Sequence, residues 1–268
     1  RDCLLSRGLG DVYKRQLLDS NSNIPLQQEL RNELRKFFSP LKGLGQYLRF
    51  LFITGISKFS QMSIFSELNN LKNISMRDDF SAICGITERE LLDELRPDIE
   101  RMALANGETY EAACAHLKRQ YDGYHFSKAC PDIYNPFSLF SAFELKAIEN
   151  YWFATGTPTF LIQALRNSDV YLPDLLHDEA DITELADIDS FRTSATGLLF
   201  QTGYLTIKGY NSDYQTYLLG LPNLEVTNGF FKDLLPEYMD KSKGRSLKEI
   251  RTFIRDVRAG QPESFLIK

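Results

Sequence analysis

Tyr47-Leu48-Arg49-Phe50-Leu51-Phe52-Ile53-Thr54-Gly55-Ile56-Ser57-Lys58-Phe59-Ser60 is the stretch around which the chain reads most coherently. Phe50 to Ile53 is an unbroken apolar run, too short for a buried helix, and Gly55 punctuates its end. That pattern predicts a strand buried on both faces, as in a parallel sheet. Each large side chain would contribute about 1.5–3 kcal/mol by leaving water. The run turns polar at its carboxyl end, with Thr54, Ser57, Lys58 and Ser60. In open α/β sheets, ligands bind outside the carboxyl ends of the strands. Thr54, Ser57 and Lys58 offer hydroxyl donors and one positive charge around a small Gly55, which suits a phosphate. An ordinary strand-to-loop exit with Lys58 in solvent fits the same spacing.

Outward from this stretch, composition bounds the possibilities. At 268 residues there is ample chain for one or two domains with a core. A net charge of −5 argues against a generally basic nucleic-acid binder and leaves only a local patch for such contact. No apolar run reaches the roughly 18 residues of a membrane span, and no secretory signal pattern is visible. Cys3, Cys84, Cys114 and Cys130 form no CxxC pair and read as reduced thiols of a cytoplasmic protein.

Upstream, Arg1 to Gln16 does not fit the rest of the chain and resembles translated sequencing-adapter read-through, a scar of metagenomic reading frames. Setting it aside makes the remaining chain more acidic. Pro25 opens a predicted helix to about Phe38, with Leu26, Leu30, Leu34 and Phe37 at helical spacing, and Pro40 closes it. Downstream, Lys72 to Met76 reads as a short strand. Thr87 with Glu90 is a capping box for a helix that Pro97 interrupts. A second helix ends at Asn106-Gly107, and a third runs from Thr109 to Gln120. Asp122-Gly123 between aromatics reads as a hairpin turn, which either backs a nucleotide site or packs locally. Asn135-Pro136 opens another helix.

Thr157-Pro158 is a helix start whose backbone donors suit an anion, as do those of many helices that bind none. The acidic run from Asp174 to Asp189 reads as a solvated surface, without the loop periodicity of a calcium site. Phe191 to Gln201 is a predicted helix, followed by a hairpin across Asn211-Ser212-Asp213 and a helix from Pro222 towards Met239. Helix, hairpin and helix in that order resemble a winged-helix unit. Lys248, Arg251, Arg255 and Arg258 share one quadrant of a helix after Ser246 and form a basic stripe. It serves either as a solvated face or as a DNA contact.

Several blocks together resemble the bacterial AAA-ATPase-like family, whose members carry a PD-(D/E)XK nuclease domain after the ATPase. These blocks are Phe52 to Ser60 with Ser63-Ile64-Phe65-Ser66 and Leu68-Asn69-Asn70-Leu71, Ala82 to Thr87, Tyr121-Asp122-Gly123-Tyr124 and Tyr134 to Ser138. Phe153 to Pro158 and Leu199 to Leu205 extend them. The resemblance implies ATP and Mg²⁺ as cofactors of the whole protein, action on nucleic acid, and Thr54, Ser57 and Lys58 as a sensor of the γ-phosphate. It also implies an organisation: a scar over 1–16, the last part of an α/β core with a parallel sheet over 17–85, a helical lid and winged-helix-like region over 86–240, and the start of a connection to the nuclease over 241–268. On this reading the chain is an internal fragment. It has no GxxxxGK[ST] loop, no acidic strand for magnesium and no Glu-x-Lys nuclease core, and is expected to be inactive alone. The rival expectation is a non-catalytic winged-helix module that binds DNA or a protein.

Overall fold

The computed structural model describes residues 24–52, 72–152, 165, 178–186, 195–230 and 232. Helices and small antiparallel sheets are mixed along the chain, giving a roughly α/β protein. Helix α1 (Ile24–Phe38) runs into a 3₁₀ turn at Ser39–Lys42 carrying Pro40. Its expected apolar stripe is only partly covered, since Leu26 and Phe37 stand exposed.

The central run behaves differently from the expectation over the residues described. Phe50, Leu51 and Phe52 lie outside any strand and are exposed, Phe50 by 81%. The Phe50 and Phe52 rings instead stack on each other at 6.4 Å. A buried strand takes its hydrogen bonds and cover from neighbouring strands, and none of the described strands pairs with this run. Lys72 to Met76 is likewise not a strand. Its Ser75-Met76 pair turns, and Asn73 Oδ1 accepts from the Ser75 N–H at 3.1 Å, a local bond that competes with a ladder.

At the helix ends from Thr87 to Asn135 local signals and structure agree closely. Strand β1 (Ile86–Thr87) leads into α2 (Glu88–Glu94), where Thr87 Oγ1 accepts from Glu90 N and Glu90 Oε2 accepts from Thr87 N. Helix α3 (Arg96–Asn106) has Pro97 in its first turn and ends on Gly107 at φ 67°, the left-handed region glycine tolerates. Helix α4 (Tyr110–Tyr121) is capped by Thr109, and α5 (Pro136–Leu145) by Asn135. Strand β2 (Ile133–Tyr134) pairs antiparallel with β1.

A second, three-stranded antiparallel sheet has the order β3 (Glu179–Ala180), β5 (Thr216–Gly220), β4 (Thr206–Asn211). The short helices α6 (Ile182–Ala186) and α7 (Thr196–Gln201) pack together beside it, and α8 (Leu224–Gly229) comes after it. The hairpin expected across Asn211-Ser212-Asp213 is present. Asn211 Oδ1 accepts from the N–H groups of Asp213 and Tyr214, which fixes the turn.

Two buried clusters meet along β2. Tyr134 faces a helical core with Leu91, Ile99, Met102, Leu117, Tyr121 and Leu139, whereas Ile133 faces a core with Leu199, Tyr204, Ile207, Leu219 and Val226. Successive strand residues point to opposite faces, so two residues suffice to touch both. Glu225, fully buried in α8, stitches the seam: its Oε1 accepts from Tyr151 N at 2.6 Å and Trp152 N at 3.0 Å. Tyr151 belongs to the helical core and Trp152 packs on the other. Burial pushes the Glu225 carboxyl up from its ordinary value, and the two N–H donors and the nearby Ser138 hydroxyl pull it partly back. Glu225 Oε2 and the buried Ser138 Oγ nevertheless lack a hydrogen-bond partner of ordinary geometry.

Candidate functional site

Thr54, Ser57 and Lys58, the residues expected to meet phosphate, lie outside the described residues, as do Thr157-Pro158, His177 and the basic stripe from Lys248 to Arg258. Where the structure does gather ionisable groups is the loop from Asp122 to Asp132, between α4 and β2.

This loop is built on a glycine. Helix α4 ends at Tyr121, and Gly123 takes φ 102°. A Cβ on Gly123 would sit 2.3 Å from the Pro222 carbonyl oxygen, so the position has room for no side chain. The expected tight hairpin is therefore a helix end followed by a wider excursion. Tyr124 and Ile133 close that excursion with a pair of antiparallel backbone hydrogen bonds, at 3.3 and 2.9 Å. Both structures call for a positive φ, which is why the Asp-Gly pair alone does not distinguish them.

Lys208 arrives from the opposite sheet. It is the extra residue of a β-bulge, because Ile207 pairs with Leu219 and Gly209 already pairs with Leu218. A bulge re-aims the side chain it carries. The Lys208 stem runs over the surface while its ammonium donates to the carbonyl oxygens of Pro222 (3.2 Å) and Gly123 (3.4 Å). Loss of hydration lowers the Lys208 pKa, and Asp132 and Asp122 oppose the shift. Asp122 is 7% exposed with Oδ1 unpartnered, and burial raises its carboxyl, with the Gly123 N–H opposing.

His125 Nδ1 lies 2.8 Å from Asp132 Oδ1, and a carboxylate oxygen accepts, so Nδ1 carries the hydrogen. The His125 backbone is tied to Thr206 in β4 at both ends: its N–H donates to Thr206 Oγ1, which in turn donates to the His125 carbonyl. Nearby, Asp78 Oδ1 accepts from Ala129 N at 3.2 Å, and the Lys128 ammonium stands 3.6 Å from the Tyr210 ring centroid. The donors and charges of this loop are largely consumed within the protein. Chemically it is a charged clasp between the two cores, the local-packing alternative for Tyr121-Asp122-Gly123-Tyr124.

Cys114, His116, His125 and Cys130 are close along the chain, but the structure pairs His116 with Glu108 and His125 with Asp132. Among the described residues no three His, Cys, Asp or Glu side chains gather as metal ligands. In the acidic run, Asp181 Oδ1 accepts from the N–H groups of Thr183 and Glu184 and so caps α6. No helix among the described residues is long and apolar enough to cross a membrane. Lys208 and Glu225 were not singled out from sequence. Gly209 inside a strand is the one signal that marks the bulge.

Comparison with known proteins bears on the stretch that contains Thr54, Ser57 and Lys58. Residues 9–65 match the AAA-ATPase-like family, described as "Predicted AAA-ATPase". This supports the AAA-ATPase-like resemblance, and the match begins within the 1–16 stretch read as a scar. An uncharacterized protein in the vnfD 5' region of Azotobacter chroococcum mcd 1 is 34% identical over 233 residues. The alignment covers 86% of this chain and 43% of that relative, so the chain spans less than half of the relative's length. No solved structure matches.

Proposed function

We propose that the chain is part of an ATP-binding, AAA-ATPase-like protein in which Thr54, Ser57 and Lys58 read the γ-phosphate. The observation that carries this reading is the family match over residues 9–65, which contains all three. Their donor set suits the task. Two hydroxyls flank a glycine that adds no bulk, and an ammonium comes next. A hydroxyl at Thr54 or Ser57 orients a water, and Lys58 offsets negative charge as it builds. Magnesium bound with the nucleotide would come from residues outside those named. In this reading the longer protein works in the cytoplasm, couples nucleotide to a PD-(D/E)XK nuclease domain and acts on nucleic acid. The chain itself is expected to be catalytically silent.

The test is binding of a fluorescent ATP analogue to the longer protein. Saturable binding that weakens at least tenfold in Lys58→Ala supports the proposal, and unchanged binding in that variant sinks the sensor assignment. One observation favours a second reading. Helix α7, the β4–β5 hairpin and α8 succeed each other in winged-helix order. If that unit is the working part, DNA binding falls steeply with salt and is indifferent to Lys58.

A further inference from the structure

A cavity of about 320 Å³ opens between α4, the end of α3, the segment after α5 and the start of α8. None of its lining residues belongs to the proposed nucleotide sensor. From α4 come His116, Arg119 and Gln120, which share one helix face. Glu108 lies beside His116, and Ile148 and Leu224 form an apolar wall.

The hydrogen-bonding capacity left over around this cavity is one-sided. His116 Nδ1 is 3.0 Å from Glu108 Oε2. A carboxylate oxygen only accepts, so Nδ1 carries the hydrogen and Nε2 of the neutral ring is left as an acceptor. The Gln120 amide nitrogen is spent on Asn150 Oδ1 at 2.8 Å and the Glu149 carbonyl at 3.5 Å, which leaves its Oε1 to accept. Asn106 Nδ2 likewise gives its hydrogens away, to the carbonyls of Met102 and Lys146, each at 3.0 Å. Among these polar residues Arg119 alone keeps side-chain donors to offer. Neighbouring Lys118 is paired with Glu88, whereas Arg119 has no ion-pair partner among the described residues. Glu108 and Arg119 thus line one cavity with opposite charges and do not pair with each other.

We propose that this cavity binds a free α-amino acid with a branched aliphatic side chain. The α-ammonium donates to the Glu108 carboxylate, His116 Nε2 and Gln120 Oε1. The α-carboxylate takes the Arg119 fork, and the side chain packs on Ile148 and Leu224. An ammonium has three donors and no acceptor, which is what an acceptor-rich corner lacks. A carboxylate matches a planar guanidinium with two parallel hydrogen bonds. One negative and one positive lining charge complement a zwitterion, whereas a simple cation or anion would meet one of them and be repelled by the other. The volume is at the small end of ligand pockets, in keeping with a ligand of this size.

Calorimetric titration of the full chain with L-leucine, isoamylamine, isocaproate and glycine tests this. Isoamylamine is leucine without its carboxylate, isocaproate is leucine without its ammonium, and glycine lacks the side chain. Leucine is expected to bind saturably at one site, and each of the other three at least tenfold more weakly. Arg119→Ala and Glu108→Gln should each weaken leucine at least tenfold, with Arg119→Lys falling between Arg119→Ala and the parent. Circular dichroism checks that the helices persist in these variants, and the comparison of the four ligands on the unchanged chain does not depend on them. Absence of saturable leucine binding, or affinity within twofold in Arg119→Ala, overturns the proposal. Isoamylamine or isocaproate binding as tightly as leucine would make the site one for a simple amine or a simple acid, and overturns it equally.

Discussion

Glu225 offers the sharpest quantitative test of how the two cores are joined. It is a fully buried carboxylate that accepts from two backbone N–H groups, Tyr151 at 2.6 Å and Trp152 at 3.0 Å. Glu225→Ala strands both donors. A buried donor without a partner costs about 1–3 kcal/mol, and Trp152 N is only part-buried, so a loss of about 3 kcal/mol is expected. In a domain of this size that lowers Tm by about 6–12 °C. Glu225→Gln keeps a carbonyl oxygen for both donors and turns an amide towards Ser138 Oγ, which now has no partner of ordinary geometry. It also removes the burden of a buried charge. That variant is expected within about 1 kcal/mol of the parent near neutral pH.

The pH dependence separates these contributions. Burial raises the folded carboxyl above its ordinary 4.5, so the folded state holds the proton more tightly than the unfolded chain. Stability from this group is therefore fully present below that ordinary value and is lost as pH rises through the folded value. The parent should weaken as pH rises from the acid side towards neutrality, less the opposing effect of other carboxylates. Asp122 contributes in the same direction. Thermal unfolding followed by circular dichroism from acid to neutral pH reads this directly, with Glu225→Gln showing the shallower fall. If Gln destabilises as much as Ala, or leaves the pH profile unchanged, the seam does not work as described.

Two further substitutions probe the clasp. Gly123→Ala must place a Cβ at φ 102° and 2.3 Å from a carbonyl oxygen, so it should cost at least about 2 kcal/mol in urea unfolding; a neutral result would contradict the close approach. Lys208→Met keeps the stem and removes the ammonium from the Gly123 and Pro222 carbonyls, with an expected loss of about 1 kcal/mol. Because desolvation lowers the Lys208 pKa, its charged form is the less favoured one in the folded state, and the parent should gain stability relative to Lys208→Met as pH rises into the lysine range.

How far the sequence disclosed the structure depends on the range of each interaction. The Thr87–Glu90 box, the Asn106-Gly107 stop, the Asn135-Pro136 start and the Asn211 turn are settled within four residues, so they could be read directly. Glu225 is in the first turn of a helix, where an acidic residue ordinarily reads as a solvated partner of the helix dipole, and only packing from residues 138 and 151–152 reveals its burial. The Lys208 bulge depends on register with β5, which local pattern does not encode. Asp122-Gly123 announced a positive φ and not the structure that would use it. For Phe50 to Phe52, apolar character implied burial, but burial needs neighbours, and the described strands supply none. Of the candidate sites, the Thr54-Ser57-Lys58 phosphate reading rests on donor chemistry and family likeness.

The most direct measurement is the affinity of the longer protein for ATP and for ADP, in the parent and in Lys58→Ala. If Thr54, Ser57 and Lys58 read the γ-phosphate, the parent should prefer ATP, and Lys58→Ala should weaken ATP at least tenfold while leaving ADP nearly unchanged. Equal loss of both nucleotides, or no loss of either, would contradict the account.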